Sequence, residues 1–196
     1  MHPVEPAPDG APRIHPESAE EWRSWLAVHH DTESGVWVVL WRKAAGRTGL
    51  TYDELVREVL CFGWIDATAR KLDADRTLQY CAPRKRGSGW ARTNKARIAE
   101  LEAQGRIAPP GAAVIAAAKA DGSWTLFDEV EALLVPADLV TALDKHPGAR
   151  ETWDSFPPSA RKFMLSQIVL AKRPETRAAR IGRIADAAAR GERGYP

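Results

Sequence analysis

Cysteine is scarce in this chain. Its 196 residues include two, Cys61 and Cys81, in no CxxC pattern. Two are too few for a disulfide scaffold or a structural zinc site, and both read as small buried hydrophobes. Long apolar runs are also missing, and no segment approaches the ~20 residues that cross a bilayer as a helix. The opening MHPVEPAPDGAPRIHP has no apolar stretch of the kind a secretory signal requires, so a cytoplasmic location is expected. Neither sign of charge dominates: 28 Lys and Arg stand against 26 Asp and Glu, so the total favours neither nucleic acid nor a membrane surface. The five histidines show no metal-ligand spacing, and His29 and His30, being adjacent, point different ways on a helix. GxSxG, HExxH and GxxxxGK[ST] are all absent, which leaves a motif-bearing hydrolase, a zinc enzyme and a P-loop without support. A triad assembled only by folding stays open. No cofactor and no metal are expected.

Tryptophan, by contrast, is plentiful at eight, enough for several to form a core. Charge is also uneven along the chain. Residues 1–34 are mostly acidic among their charges (Glu5, Asp9, Glu17, Glu20, Glu21, Asp31, Glu33), whereas 84–106 and 161–183 are strongly basic. Such segments are either solvated helix faces or a local surface for an anion.

The periodicities predict an α+β fold: a small, mainly antiparallel sheet with N-terminal helices and a helical C-terminal half. Residues 1–16 are proline-rich and aperiodic and read as a flexible arm. Residues 17–190 read as a single domain, followed by a short tail, 191–196. Ser18 and Glu21 offer a capping box for a first helix ending near His30. VWVVLW, 36–41, reads as a strand covered on both faces. Thr51 and Glu54 offer a second capping box, and Tyr52, Leu55, Val56, Val59 and Leu60 mark the apolar stripe of a second helix closed by Gly63. Residues 64–72 and 76–83 read as a hairpin in which Leu72 faces Thr77, Arg70 faces Gln79, Thr68 faces Cys81 and Asp66 lies near Pro83. Beyond, Trp90, Asn94, Ile98 and Leu101 share a helical face, Gly105 closes that helix, and Pro110, Pro136, Pro158 and Pro174 suit helix starts.

Three places combine residues capable of chemistry. Asp66 follows Gly63, Trp64 and Ile65. A carboxylate there needs a donor, which Arg84 or Arg86 could supply, and it is either a base or ligand anchor or a brace across the hairpin. PRKRGSGWARTN, 83–94, joins four cations, two glycines and a helix start, a combination that attracts anions. Within it, Asn94 lies on the apolar face, where its amide needs a partner in the protein or in a ligand. AKRPETRAARIGRI, 171–184, places Arg177 on a buried stripe, with Asp66 as one mate for it; Arg180 and Arg183 face outward. That last segment is either a nucleic-acid helix or a plain amphipathic one.

Taken together, SGVWVVLWRK, TYDELVREVLCFGWIDATARKLD, YCAPRKRGSGWARTNKARIAELEAQGRI, AAKADGSW and AKRPETRAARI resemble the YdeI/OmpD-associated, or bacteriocin-protection, family over about residues 18–190. The chain departs from the family pattern at Ala67, where Gly usually follows GWID, and at Ala91, where Ser often follows the motif tryptophan. The resemblance implies a link to tolerance of bacteriocins or cationic antimicrobial peptides and to an outer-membrane porin, and no defined reaction. Three functions follow as expectations. The first is a small-anion-binding or stress-tolerance protein with one pocket formed by Trp64, Asp66, Arg84, Arg86, Trp90, Asn94 and Arg177. The second is an enzyme using Asp66 as general acid or base in that pocket. The third, disfavoured by the near-neutral total, is nucleic-acid binding through the basic segments.

Overall fold

The computed structural model describes residues 10–194. Within them are nine α-helices and one four-stranded sheet, the α+β class that the periodicities predict. The chain divides into two compact units. One comprises residues up to Ser88 together with Thr93–Ser123, and the other Gly89–Arg92 with everything from Trp124 onward. The single domain expected over 17–190 thus shows two gatherings of internal contacts.

The first unit holds β1 (Arg13–Ile14), α1 (Ala19–His29), β2 (Val36–Trp41), α2 (Tyr52–Cys61), β3 (Trp64–Lys71), β4 (Arg76–Pro83), α3 (Arg92–Ala103) and α4 (Pro109–Ala120). The strand order is β1-β2-β4-β3. β1 runs parallel to β2 while the other pairs are antiparallel, so the sheet is mixed. Of the arm expected over 1–16, residues 1–9 lie outside the described residues, and Arg13 and Ile14 pair with Trp37 and Val38. A two-residue strand carries no alternation of its own; its partner defines it, beginning with the Trp37 amide donating to the Pro12 carbonyl at 2.8 Å.

Local signals hold where a side chain meets its own backbone. Ser18 accepts the Glu21 amide at 3.3 Å. Glu21 reaches back to the amide of Glu17 rather than to that of Ser18. The Thr51–Glu54 capping box is complete. Gly63 ends the α2 segment at φ 74°, in the left-handed region that glycine enters without strain. Glu58, buried inside α2, receives the guanidiniums of Arg23 and Arg106, the pairing a dry carboxylate requires.

The hairpin register differs from the expected one. Lys71 faces Thr77, Arg70 faces Leu78 and Ala69 faces Gln79; a bulge between Asp66 and Ala69 then sets Asp66 opposite Cys81 and Trp64 opposite Pro83. The turn is the cause. Asp73 Oδ1 accepts the amides of Asp75 and Arg76, and the amides of Leu72 and Asp73 both donate to the Arg76 carbonyl, so Leu72 belongs to the turn. Trp64 and Asp66, on one face of β3, meet Trp25 of α1 and Tyr52 of α2. The opposite face shows Trp37, Val39 and Leu78 with Ala11, Leu72 and Tyr80 beside them, a cluster drawn from strands and connections and from no helix.

The second unit is helical: α5 (Asp128–Glu131), α6 (Ala137–Asp144), α7 (Ala149–Ser155), α8 (Pro158–Val169) and α9 (Pro174–Ala189). Pro136 precedes α6, and Pro158 and Pro174 open α8 and α9, where the missing N–H costs nothing. α6, α7 and α8 all pack on α9. Leu139, Leu143, Trp153, Met164, Ile168 and Ile184 are fully buried at the centre.

Candidate functional site

Asp66 stands near the start of β3, and polar or charged groups approach it or its partner Tyr52 from three directions. The first is the hairpin exit. The Arg84 amide donates to the Gly63 carbonyl at 3.0 Å, which fixes Arg84 beside the strand that carries Asp66. Arg84 is buried, 9% exposed. Burial pushes its guanidinium down to about 10, against the attraction of the Asp66 carboxylate, so it remains cationic at neutral pH.

The second direction is the first turn of α2. The Tyr52 hydroxyl donates to Asp66 Oδ2 at 2.7 Å. Partial burial, and then that hydrogen bond to a carboxylate, raise the phenol to about 12. Tyr52 was expected on the apolar stripe. It is instead half exposed, a polar arm reaching from α2 to β3. Opposite Asp66, the Cys81 thiol is pushed far up, by burial first and by Asp66 second, which disqualifies it as a nucleophile.

The third is α3. Arg97 donates to Asn94 Oδ1 at 3.3 Å and to Asp53 Oδ1 at 3.0 and 2.9 Å. Its charge also acts on the Tyr52 phenol, favouring the ionised form. Arg57 donates to the second Asp53 oxygen and to Glu100, each at 2.7 Å. Asn94, which required a partner, thus finds Arg97 one turn on.

The remaining candidates have their own neighbours. Trp64 is 1% exposed; its indole donates to the His30 carbonyl and its ring meets Trp25 edge-on. Arg86 projects outward with Nε 3.6 Å from Asp121. Trp90 belongs to the second unit, buried 5.0 Å from the Trp124 ring. Arg177, in the same unit, grips both oxygens of Asp138 at 2.7 and 3.0 Å, so its carboxylate partner is Asp138 where the sequence suggested Asp66. Sequence reasoning passed over Tyr52 and Arg97. The signal for Arg97 was its place three residues after Asn94 on a helix.

Among the described residues no group of three or more His, Cys, Asp or Glu side chains could hold a metal, and no helix is long and apolar enough to cross a membrane. The molecule is therefore defined as an α+β protein with a buried cation beside a carboxylate–phenol pair. Residues 14–114 match the family described as Domain of unknown function (DUF8412), and the chain belongs to it. Residues 132–191 match the family described as Bacteriocin-protection, YdeI or OmpD-Associated, the family that the motifs resemble. GWID and PRKRGSGWARTN fall within the first match and PETR within the second. No curated protein and no solved structure matches the chain.

Proposed function

We propose that this is a cytoplasmic small-anion-binding protein whose site in the first unit centres on Arg84, with Asp66 holding the guanidinium in place and Asn94 and Arg97 at its border. The observation that carries the reading is a nine-tenths-buried guanidinium set beside a carboxylate already engaged by a phenol. A cation taken out of water binds a carboxylate or phosphate more strongly than one on the surface. The two free, buried cysteines fit a reducing compartment. Through such a ligand the chain would contribute to the bacteriocin protection for which the second family is described.

The test is calorimetric titration with inorganic phosphate, acetate and citrate. Wild type is expected to take up one of them saturably, and Arg84→Gln, its folding checked by thermal melting, to lose at least tenfold in affinity. Absence of saturable binding by all three, or equal binding by the variant, overturns the reading.

The Tyr52–Asp66 pair favours a second reading, with Asp66 as general acid or base, because the phenol engages one carboxylate oxygen and orients the other. Asp66→Asn that folds normally yet loses turnover of an identified substrate supports it. A variant that merely unfolds assigns Asp66 a bracing role.

A further inference from the structure

The sheet face away from α1 and α2 repeats a pattern that the Arg84 site does not use. Trp37 and Trp41 lie on β2 with Val39 between them, so all three project the same way, the two indoles about 13 Å apart at the rise of a strand. Each indole is covered by a guanidinium. Arg70 lies 4.8 Å from the centre of the Trp37 ring, and Arg47 4.8 Å from that of Trp41. Arg76 flanks Trp41 at 5.9 Å and pairs with Asp73. Arg47 and Arg70 are exposed, and neither makes an ion pair among the described residues.

A recess adjoins each tryptophan–arginine pair. One, of about 570 Å³, is bounded by Trp37, Thr68, Arg70, Tyr80 and Glu33. The other, of about 580 Å³, is bounded by Trp41, Arg47, Thr48 and Glu17. Both volumes are of the size that takes a small planar ligand.

The chemistry of these pairs is specific. Trp37 is 4% exposed, so it cannot offer its own face to a ligand; the arginine above it can. A guanidinium held on an indole keeps an outer face for a second planar group and edge N–H groups for phosphate oxygens. Lysine would supply the charge without the plane. Two such stations along one strand, each with a guanidinium that forms no ion pair among the described residues, match a ligand that repeats a planar group and an anion. We propose that this face binds single-stranded nucleic acid, with one base against Arg70 over Trp37, another against Arg47 over Trp41, and the intervening phosphates on the guanidinium edges. The location differs from the basic segments 84–106 and 161–183, and the low net charge is no obstacle when the cations are gathered on one sheet face.

The test measures fluorescence anisotropy of a labelled oligouridine of about twelve nucleotides with the full-length protein, against a duplex of equal length and with uridine monophosphate as competitor. The single strand is expected to bind, with affinity falling roughly 20-fold between 50 and 200 mM salt for about three phosphate contacts. The double variant Arg47→Gln, Arg70→Gln is expected to lose at least tenfold. The double lysine variant is expected to lose several-fold, because it keeps the charge and removes the plane; it also keeps the test decisive if the glutamine pair fails to fold. Four results would each overturn the proposal: no binding at low salt, undiminished binding by both double variants, equal affinity for the duplex, or competition by the mononucleotide as effective as that by the strand.

Discussion

At the scale of the residue, the hydrogen bond from Tyr52 to Asp66 makes a prediction independent of any ligand. The chain has three tyrosines, and one of them is expected to ionise near 12, because burial and the Asp66 carboxylate both resist formation of a phenolate. A phenol raised in the folded chain stabilises it fully below its unfolded pKa of about 10, and that contribution is lost as pH climbs through about 12. Ultraviolet titration should show one late transition, absent in Tyr52→Phe and moved to lower pH in Asp66→Asn. If the late step survives Tyr52→Phe, the pairing is not what holds the phenol. Asp66 was legible in the sequence because a carboxylate two residues after a buried tryptophan, on the same face of a strand, must be answered. Its partner was not, because Tyr52 sits among apolar residues at helical spacing, and an aromatic ring there reads as core until the hydroxyl is placed. That Arg84 would lie near enough to attract Asp66 was legible, although its burial was not, since a run of basic residues looks solvated.

At the scale of the element, glycine controls how closely helices approach. A Cβ on Gly111 of α4 would lie 2.2 Å from the carbonyl oxygen of Cys61, the last residue of α2. The Ala108 amide, just before α4, donates to that same carbonyl at 3.0 Å. Backbone cannot yield as a flexible side-chain tip can, so Gly111→Ala is expected to push α4 off α2 and cost about 1–3 kcal/mol. Urea denaturation of the variant checks this, and an unchanged midpoint would mean that the contact is loose. The sequence showed elements wherever a cap or a short β-rich apolar run stood alone, as at Thr51–Glu54 and VWVVLW. It concealed those whose definition lies elsewhere. β1 exists through its pairing with β2. α5 and α7, of four and seven residues, are too short to display a period. The hairpin register slipped because the turn around Asp73 absorbs Leu72 and the bulge adds its own offset.

At the scale of the whole molecule, the division into two units turns on which residues share a core. Trp153 is fully buried among Leu139, Met164, Ile168 and Ile184, all from helices that lie after Trp124. On the other side of the division, Val36, Val39, Cys81 and Trp64 are buried in and around the sheet. Composition alone did not mark the division, because both cores use the same residue types and the chain crosses between them at Gly87-Ser88-Gly89 and Gly122-Ser123, stretches too short to read as linkers. Trp153→Ala is expected to cost about 3–5 kcal/mol by leaving a cavity. If each unit opens as its own cooperative block, hydrogen exchange should quicken through α6 to α9, while the amides paired between β2 and β4 keep their wild-type protection. Thr77 to Cys81, the β4 partners of β2 from Leu40 back to Val36, are the amides to follow. Equal acceleration there and in α9 would show that the two cores unfold as one.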